Sequence, residues 1–161
     1  MLSNKAKYAL KAMFALATLK REERLRSQDI ADKHDIPKKF LDVILFDLRK
    51  HDLVRSYRGP QGGYALAKPS RTITLGNIVR SIDGPLAPIA CASVTRYQRC
   101  NDCDPDTCLV RYNMRKVRDA ISVILDQTTL EESSRYKPKK QKAPSRREIL
   151  ELRNVSRGTA L

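Results

Sequence analysis

The sequence predicts a mainly α-helical protein, built as a winged helix-turn-helix with a two-stranded wing and a long C-terminal dimerisation helix. Three observations lead to this prediction. Two helical segments are joined by the short link HDI, a glycine-rich hairpin follows them, and residues 109–130 form a helical segment without proline or glycine. A helix pair followed at once by a hairpin with a basic tip is typical of a winged helix.

The spacing of apolar residues predicts the first three helices. In residues 5–19, apolar side chains recur every three or four positions, which indicates a first helix. Ser27 is a candidate N-cap for a two-turn helix over residues 28–34. Pro37 suits the opening of a third helix. The apolar stripe of this third helix consists of Leu41, Ile44, Leu45 and Leu48.

The remaining elements follow from turn signals and periodicity. LVRSY and YALAK are strand-like runs on either side of RGPQGG, whose glycines and proline favour a turn with Arg58 at its tip. Residues 73–84 form a helix closed by Gly84. From Leu109 to about Leu130, one helix is expected to carry an apolar stripe formed by Val110, Met114, Val117, Ile121 and Leu125. Such a helix often pairs with its copy in a homodimer, and packing against its own domain is the alternative.

Composition narrows the classes of function. The formal net charge is +14 at pH 7, which favours a polyanionic partner such as double-stranded DNA. A net charge of +7 lies in residues 134–161, which we expect to be a disordered basic tail. Lysines interrupt the apolar residues 1–20, and no apolar run approaches the roughly 20 residues that cross a bilayer. We therefore expect a cytoplasmic protein without membrane contact. Motifs of nucleotide-binding enzymes and hydrolases are missing from the sequence, so we do not expect an enzyme.

All four cysteines, Cys91, Cys100, Cys103 and Cys108, lie within an 18-residue stretch. Disulfides, a structural zinc and an iron–sulfur cluster are competing interpretations. A reducing cytosol disfavours structural disulfides. Four thiolates suit zinc and iron–sulfur clusters alike, although zinc folds usually contain two C-x-x-C pairs and this loop contains one. A metal-free thiol switch and a loop without a chemical role are further alternatives.

Residues 51–85, HDLVRSYRGPQGGYALAKPSRTITLGNIVRSIDGP, resemble the wing and following helix of the Rrf-two (Rrf2) family of bacterial winged-helix transcription regulators. RGPQGGY is the most specific part of the similarity. The similarity extends from SNKAKYALKAMFALA through the long helix and leaves out the tail. It implies a homodimeric DNA-binding transcriptional regulator, which we expect to be a repressor, bound to a palindromic operator. The PKKFLDVILFDL helix would lie in the major groove and the wing in the flanking minor groove.

The resemblance directs the candidate DNA contacts to the second and third helices and to the wing. Arg58 suits a narrow minor groove, and the glycines beside it allow close approach of the backbone to phosphates. The start of the second helix suits a phosphate, and Lys39 is expected to contact phosphate rather than a base. The candidate residues are Ser27, Gln28, Lys38, Lys39, Phe40, Asp42, Tyr57, Arg58, Gly59, Pro60, Gln61, Gly62 and Gly63. Pro37, Lys39 and Asp42 depart from the residues of cluster-binding family members, so the operator sequence does not carry over.

Cluster-binding members of the family carry three cysteines just before the long helix, and Cys91 and Cys108 match the first and third by position. Cys100 and Cys103 both qualify as the second. A histidine completes the site in some members, but Arg111 stands at that position, and residues 1–20 contain no acidic substitute. The resemblance therefore implies a 2Fe-2S or 4Fe-4S cluster held by Cys91, Cys100, Cys103 and Cys108, with zinc as the alternative.

We expect the regulator to sense iron, redox state or nitric oxide, because a change in the cluster would reorganise the loop and reorient the two DNA-binding heads. The predicted units are a DNA-binding domain at 1–85, a cysteine-rich cluster-binding loop at 86–108, a dimerisation helix at 109–133 and the tail. One alternative is a family member without a cluster, with structural zinc, a thiol switch or a small-molecule or protein effector. The alternative of another class is a redox or cluster-carrier protein.

Overall fold

The structure, a computed structural model, describes residues 2–20 and 22–136. Within this part of the chain, helices α1 to α6 span Asn4–Ala17, Ser27–His34, Lys38–Lys50, Leu75–Asp83, Leu109–Gln127 and Leu130–Arg135. Strands β1 and β2 span Val54–Tyr57 and Gly63–Leu66, and short 3-10 turns occur at Ser70–Thr72 and Ala90–Ala92. From residue 137 onward, the predicted basic tail lies outside the described residues.

The hydrophobic core lies between α1, α3, α4 and α6. The predicted stripe of α3 is fully buried, and it packs against Met13 and Leu16 of α1, Ile78 of α4 and Leu130 of α6. Fully burying one such side chain contributes roughly 1.5–3 kcal/mol relative to leaving it exposed. The mainly α-helical winged helix predicted from the sequence is confirmed, because the helix pair, the hairpin and the later helices all form.

Helices α2 and α3 form the expected helix-turn-helix. Asp35 ends α2 in a left-handed conformation with φ of 52°, and the N–H of Ile36 donates to the carbonyl of Ala31 at 3.0 Å. Pro37 then precedes the first residue of α3. This tight turn sets the angle at which α3 leaves α2.

The prediction that Ser27 is an N-cap is wrong. Helix α2 begins at Ser27, and Arg26 occupies the cap position without a side-chain hydrogen bond to the helix. The physical reason is that Leu25 pairs with Tyr64 of β2, through N–H to carbonyl hydrogen bonds of 3.1 and 2.8 Å. This pairing holds the chain extended as far as Arg26, so the helix starts directly after it.

The wing is an antiparallel pair, in which Val54 lies opposite Leu66 and Tyr57 lies opposite Gly63. Gly63 is required at the base of the wing by a close approach. Its φ is +150°, and a Cβ there would lie 2.6 Å from the carbonyl oxygen of Leu25. The wing is therefore attached to the residues before α2 through backbone contacts that admit no side chain at this position.

The long helix predicted to reach about Leu130 ends earlier. Helix α5 stops at Gln127, and α6 starts at Leu130. The N–H of Leu75 donates to the carbonyl of Thr128 at 3.0 Å, and the N–H of Leu130 donates to the carbonyl of Ile73 at 2.8 Å. Because this pairing engages backbone groups that a continuous helix would use, the helix breaks. Thr129 then caps α6.

Replacing Gly63 with alanine is expected to destabilise the protein by about 1–3 kcal/mol, since the new Cβ would strain the backbone and displace the Leu25 carbonyl. Gly59→Ala is the matched control. Gly59 also has a positive φ, of +100°, but a Cβ there meets no atom within 4 Å. Thermal unfolding followed by circular dichroism should show the larger loss for Gly63→Ala. Equal melting temperatures for the two variants would contradict this account of the wing.

Candidate metal centre and nucleic-acid interface

The four candidate ligands lie in one loop that leads into α5. Cys91 belongs to the 3-10 turn Ala90–Ala92 and is buried, whereas Cys100, Cys103 and Cys108 are half-buried. All four are free thiols. Cys108 is the N-cap residue of α5, where its Sγ accepts the backbone N–H of Arg111 at 3.4 Å. The loop thus places its last thiol at the positive end of a helix dipole.

The four thiols contact one another in sequence order. A hydrogen bond with Cys100, together with burial, raises the pKa of Cys91. The thiol of Cys103 donates to Cys108, and this bond, with burial and a further bond to Cys100, raises the pKa of Cys103 to about 12. The backbone N–H of Arg111 and the bond from Cys103 lower the pKa of Cys108. Cys108 is therefore disposed to ionise ahead of Cys103.

A carboxylate lies beside the two middle thiols. One oxygen of Asp102 and the sulfurs of Cys100 and Cys103 all lie within 4.8 Å of one another. Asp102 is exposed and was not among the residues predicted as ligands. The signal that could have identified it is an acidic residue inside the C-x-x-C spacing, because carboxylate oxygens also bind zinc.

Arg111, which stands where the resemblance implies a histidine, holds the loop together. Its Nε donates to the carbonyl of Cys91 at 3.0 Å, and its Nη1 donates to the carbonyl of Pro105 at 2.9 Å. The guanidinium carbon lies 5.6 Å from the centroid of the Tyr97 ring. Since a guanidinium has donors only and keeps its charge, it cannot coordinate a metal cation. Arg111 instead connects the first and last cysteines of the loop, because its backbone N–H also bonds to Cys108.

Further along α5, Arg118 ties the same loop to the helix. Its side chain is only 12% exposed, pairs with Asp119, and donates from Nη1 to the carbonyl of Ala92. Ala92 directly follows Cys91 in the 3-10 turn. The cysteine loop is therefore attached to α5 at two positions, by two arginines that bind its backbone.

The residues present fit an iron–sulfur cluster or a tetrahedral metal ion. The donor set is a chain of four thiols, each in contact with the next, and thiolates are the ligands that both groups use. The positive end of α5 and the contact with Arg111 favour the thiolate form at Cys108. The arrangement can thus offer up to four sulfur ligands from one chain, with the Asp102 carboxylate nearby.

On α3, the predicted DNA-contacting side chains lie on the side away from the core. Lys38, Lys39 and Phe40 are exposed, whereas Asp42 is half-buried. Lys38 Nζ and Asp42 Oδ2 form an ion pair at 2.9 Å, so this carboxylate is neutralised within the helix. The ring of Phe40 packs edge-on against Tyr8 of α1, with centroids 5.9 Å apart.

The structure brings most of the other predicted DNA-contacting residues to one edge. A surface hollow between the wing and the start of α2 is lined by Ser27, Tyr57, Arg58, Gly59, Pro60, Gly62 and Gly63, together with Arg26, Ser56 and Tyr64. Gln61 lies at the exposed tip of the wing. Gln28 lies outside this hollow and donates to Asp32 Oδ1 at 2.8 Å within α2.

Two arginines at this edge were missed by the sequence reasoning. The guanidinium carbon of Arg24 lies 3.9 Å from the ring centroid of Tyr57, and Arg26 Nη2 donates to the carbonyl of Pro60 at 2.8 Å. Both belong to the segment KREERLR between the first two helices, to which the sequence reasoning assigned no DNA contact. Their alternation with Leu25 is the period-two pattern of an extended segment, and it could have indicated that they share one side.

Comparison with known proteins identifies the family. Residues 2–134 match the Rrf2 family model, which is described as an iron-dependent transcriptional regulator. The chain belongs to the Rrf2 family. An rrf2-like HTH-type transcriptional regulator of Rhodobacter capsulatus is 43% identical to it over 136 residues, which cover 82% of this chain and 91% of that protein. The family resemblance noted in the sequence is therefore confirmed.

Solved Rrf2-like structures share the fold. CymR of Bacillus subtilis, a global cysteine regulator, is 31% identical with a TM-score of 0.71, and the match covers 86% of this chain and 98% of CymR. T. potens IscR is 28% identical with a TM-score of 0.69, covering 90% of this chain and 93% of IscR. These relatives and the fold are those of DNA-binding transcriptional regulators, not enzymes. Within the described residues, no helix has the length and apolar character needed to span a membrane.

Replacing Arg111 with alanine is expected to loosen the cysteine loop, because two donors to loop carbonyls and the stacking on Tyr97 are lost. Lowering the free energy of opening the cysteine loop by about 1–2 kcal/mol raises the fraction of molecules with an open loop about 5- to 30-fold. The rate at which a thiol reagent modifies buried Cys91 in reduced, metal-free protein should rise accordingly, as measured by peptide mass spectrometry.

Arg99→Ala is the matched control for this experiment, since Arg99 is an exposed arginine in the same loop and its removal changes the charge equally. In Arg99→Ala, we expect the thiol reagent to modify Cys91 at nearly the same rate as in the protein without substitutions. A similar acceleration in both variants would assign the effect to charge, and no acceleration in Arg111→Ala would refute the organising role of Arg111.

Proposed function

We propose that this chain is a homodimeric repressor that binds a palindromic operator and senses iron, redox state or nitric oxide through an iron–sulfur cluster. The observation that carries the proposal is the contact chain of four free thiols, Cys91, Cys100, Cys103 and Cys108, at the start of α5. Such a set supports four thiolate ligands from one subunit, which removes the need for a histidine at Arg111.

The bound cluster would supply a redox-active and dissociable group. The chain itself would position the four thiol ligands and shield one side of the site from water. Cys91 is 4% exposed, whereas Cys100, Cys103 and Cys108 are reachable from solvent. Because metal ligation requires thiolates, occupancy of the site would release protons and would begin most readily at Cys108, whose pKa is lowered by the Arg111 N–H.

An ion pair between α4 and α5 supports coupling between the cysteine loop, residues 86–108, and the DNA-binding head, the unit predicted at 1–85. Near the far end of α5, the guanidinium of Arg80 in α4 donates to both carboxylate oxygens of Asp126, at 2.6 and 2.7 Å. These hydrogen bonds lower the pKa of Asp126 and raise that of Arg80. Gly76 leaves room for the pair, since a Cβ there would overlap Asp126 Oδ1. A movement of α5 would therefore be transmitted through this ion pair to α4, which packs in the core of the head.

The outer side of α5 supports the homodimer. No residue of α5 is buried within the described part of the chain, although Met114 and Leu125 of the predicted stripe are half-buried against their own chain. The exposed apolar positions Val110, Val117, Ile121 and Ile124 recur every three, four or seven residues, and Ile124 is 65% exposed. A stripe of this spacing is typical of a helix that pairs with a copy of itself.

Substituting Ile121 with glutamate should dissociate the proposed dimer, because it would bury a charge in the apolar seam. We expect the dissociation constant to rise by on the order of 100-fold, as for loss of a central interface residue. Sedimentation velocity at several concentrations measures this change. Lys116→Glu is the matched control, since Lys116 is exposed on another side of α5. Unchanged association of Ile121→Glu would assign the dimer to another surface.

The proposed cluster is tested on the full chain, purified without oxygen, by visible absorption with iron, zinc and sulfide analysis. We expect iron and sulfide in equal amounts, most of which are lost on Cys91→Ser or Cys108→Ser. Cys100→Ser and Cys103→Ser form a matched pair within the C-x-x-C, and loss of the cluster in both would assign four thiolate ligands. Ser93→Ala, close to Cys91 in the same loop, should leave the iron content unchanged.

Binding of the same preparations to DNA then tests the sensing role. Operator affinity should differ between cluster-loaded and cluster-free protein, because a ligand shifts an equilibrium only through different affinities for its two states. Stoichiometric zinc without sulfide would make the loop a structural site. Metal-free protein whose DNA affinity responds to thiol oxidation, or only to an added effector, would support a family regulator without a cluster. Cluster-loaded protein that binds no DNA would support a cluster carrier.

A further inference from the structure

The outermost ridge of α3 combines two exposed apolar side chains with two lysines. Lys39, Val43, Phe46 and Lys50 follow one another at intervals of four, three and four residues, so they form one line along the helix. This line lies opposite the buried stripe of α3. Val43 is 50% exposed and Phe46 is 46% exposed. A helix whose inner side already fills the core has no need of these apolar groups for packing within its own chain.

Cations surround the two apolar side chains. Lys50 Nζ lies 4.4 Å from the centroid of the Phe46 ring, and the guanidinium carbon of Arg49 lies 5.3 Å from the same centroid. At the other end of the ridge, Lys39 is exposed one turn before Val43. The ridge therefore offers an apolar centre between positively charged ends.

The acidic residues beside the ridge are engaged within the chain. Asp42 pairs with Lys38 at 2.9 Å, and Asp47 pairs with Lys5 of α1 at 2.7 Å. With these carboxylates neutralised by lysines, the ridge has a net positive character. Its charge complements a polyanion and disfavours a basic protein partner.

We infer that Val43 and Phe46 contact the 5-methyl groups of thymines in the major groove, and that each operator half-site therefore carries thymine under the middle of α3. This inference rests on the proposed binding of DNA through α3. The thymine methyl is the apolar group that bases present in the major groove, and small apolar side chains and phenylalanine contact it. Lys39 and Lys50, at the two ends of the ridge, are within reach of flanking phosphates when the apolar centre faces the bases.

Helix geometry extends the inference to base spacing. Val43 and Phe46 are three residues apart, which is about 4.5 Å along a helix axis. Base pairs are stacked at about 3.4 Å. With α3 lying along the groove, the two side chains would therefore contact neighbouring base pairs, and two adjacent thymine-containing pairs are the expected core of each half-site. Phe40 is not part of this readout, because its ring is held against Tyr8 at the edge of the helix.

The test begins with selection of duplex DNA from a random pool by the full chain. Each thymine of the selected half-site is then replaced by uracil, which differs only by lacking the methyl group. We expect affinity to fall about three- to fourfold for each contacted methyl, as for loss of one buried methylene-sized group. Uracil at thymines outside the half-site centres should have no effect.

Protein variants assign the contacts. With Val43→Ala or Phe46→Ala, the ratio of the affinities for the thymine and uracil duplexes at one position should fall to about 1. Circular dichroism should show an unchanged fold, because both side chains are exposed. Lys39→Ala is the matched control on the same ridge. It should weaken binding to the thymine and uracil duplexes equally, because a phosphate contact carries no base information.

The outcomes separate this inference from the proposed function. A chain that selects no DNA sequence would overturn the proposed function itself. A chain that binds selected DNA but tolerates uracil throughout, or selects half-sites without thymine, would overturn the thymine inference and leave the proposed function standing. Persistence of the uracil penalty in Val43→Ala and in Phe46→Ala would assign the methyl contacts to other residues, and would also refute it.

Discussion

The position of α5 depends strongly on polar contacts near its two ends, since none of its residues is buried within the described part of the chain. Arg111 and Arg118 bind carbonyls of the cysteine loop, and Arg80 binds Asp126 near the other end of the helix. Hydrogen bonds of this kind contribute about 0.5–1.5 kcal/mol each, and the exposed Arg80–Asp126 pair less than about 1 kcal/mol. Each of these polar contacts therefore contributes a small free energy, which is compatible with the proposed movement of α5. The core of the head, by contrast, is apolar and densely packed.

Exposed basic side chains lie on the outer side of α3 and on the wing. The carboxylates on α3 are paired with lysines, whereas Lys39, Lys50 and Arg58 are exposed. At the base of the wing, Arg24 and Arg26 bind Tyr57 and the Pro60 carbonyl, so they order the wing while adding positive charge beside it. Backbone contacts through Gly63 position the base of the wing in addition to these arginine contacts.

Much of the head could be predicted from local patterns. The stripe of α3 is buried as its spacing indicates, and Gly84 ends α4 as expected. The start of α2 and the end of α5 were misplaced for a common reason. In both cases, a residue pairs in an extended conformation with a distant segment, Leu25 with Tyr64 and Thr129 with Thr74. Helical periodicity reports the faces of a helix, and it carries no information about backbone partners elsewhere in the chain.

Residue type and short-range spacing were enough to predict the class of the head, the family and the gathering of four thiols in one loop. The folded chain was needed to show which thiols touch, and that Arg111 bridges the loop instead of leaving a ligand position open. These features depend on contacts such as those of Arg111 with Cys91 and Pro105. Such contacts form only when folding brings separate segments together, and no local pattern encodes their geometry.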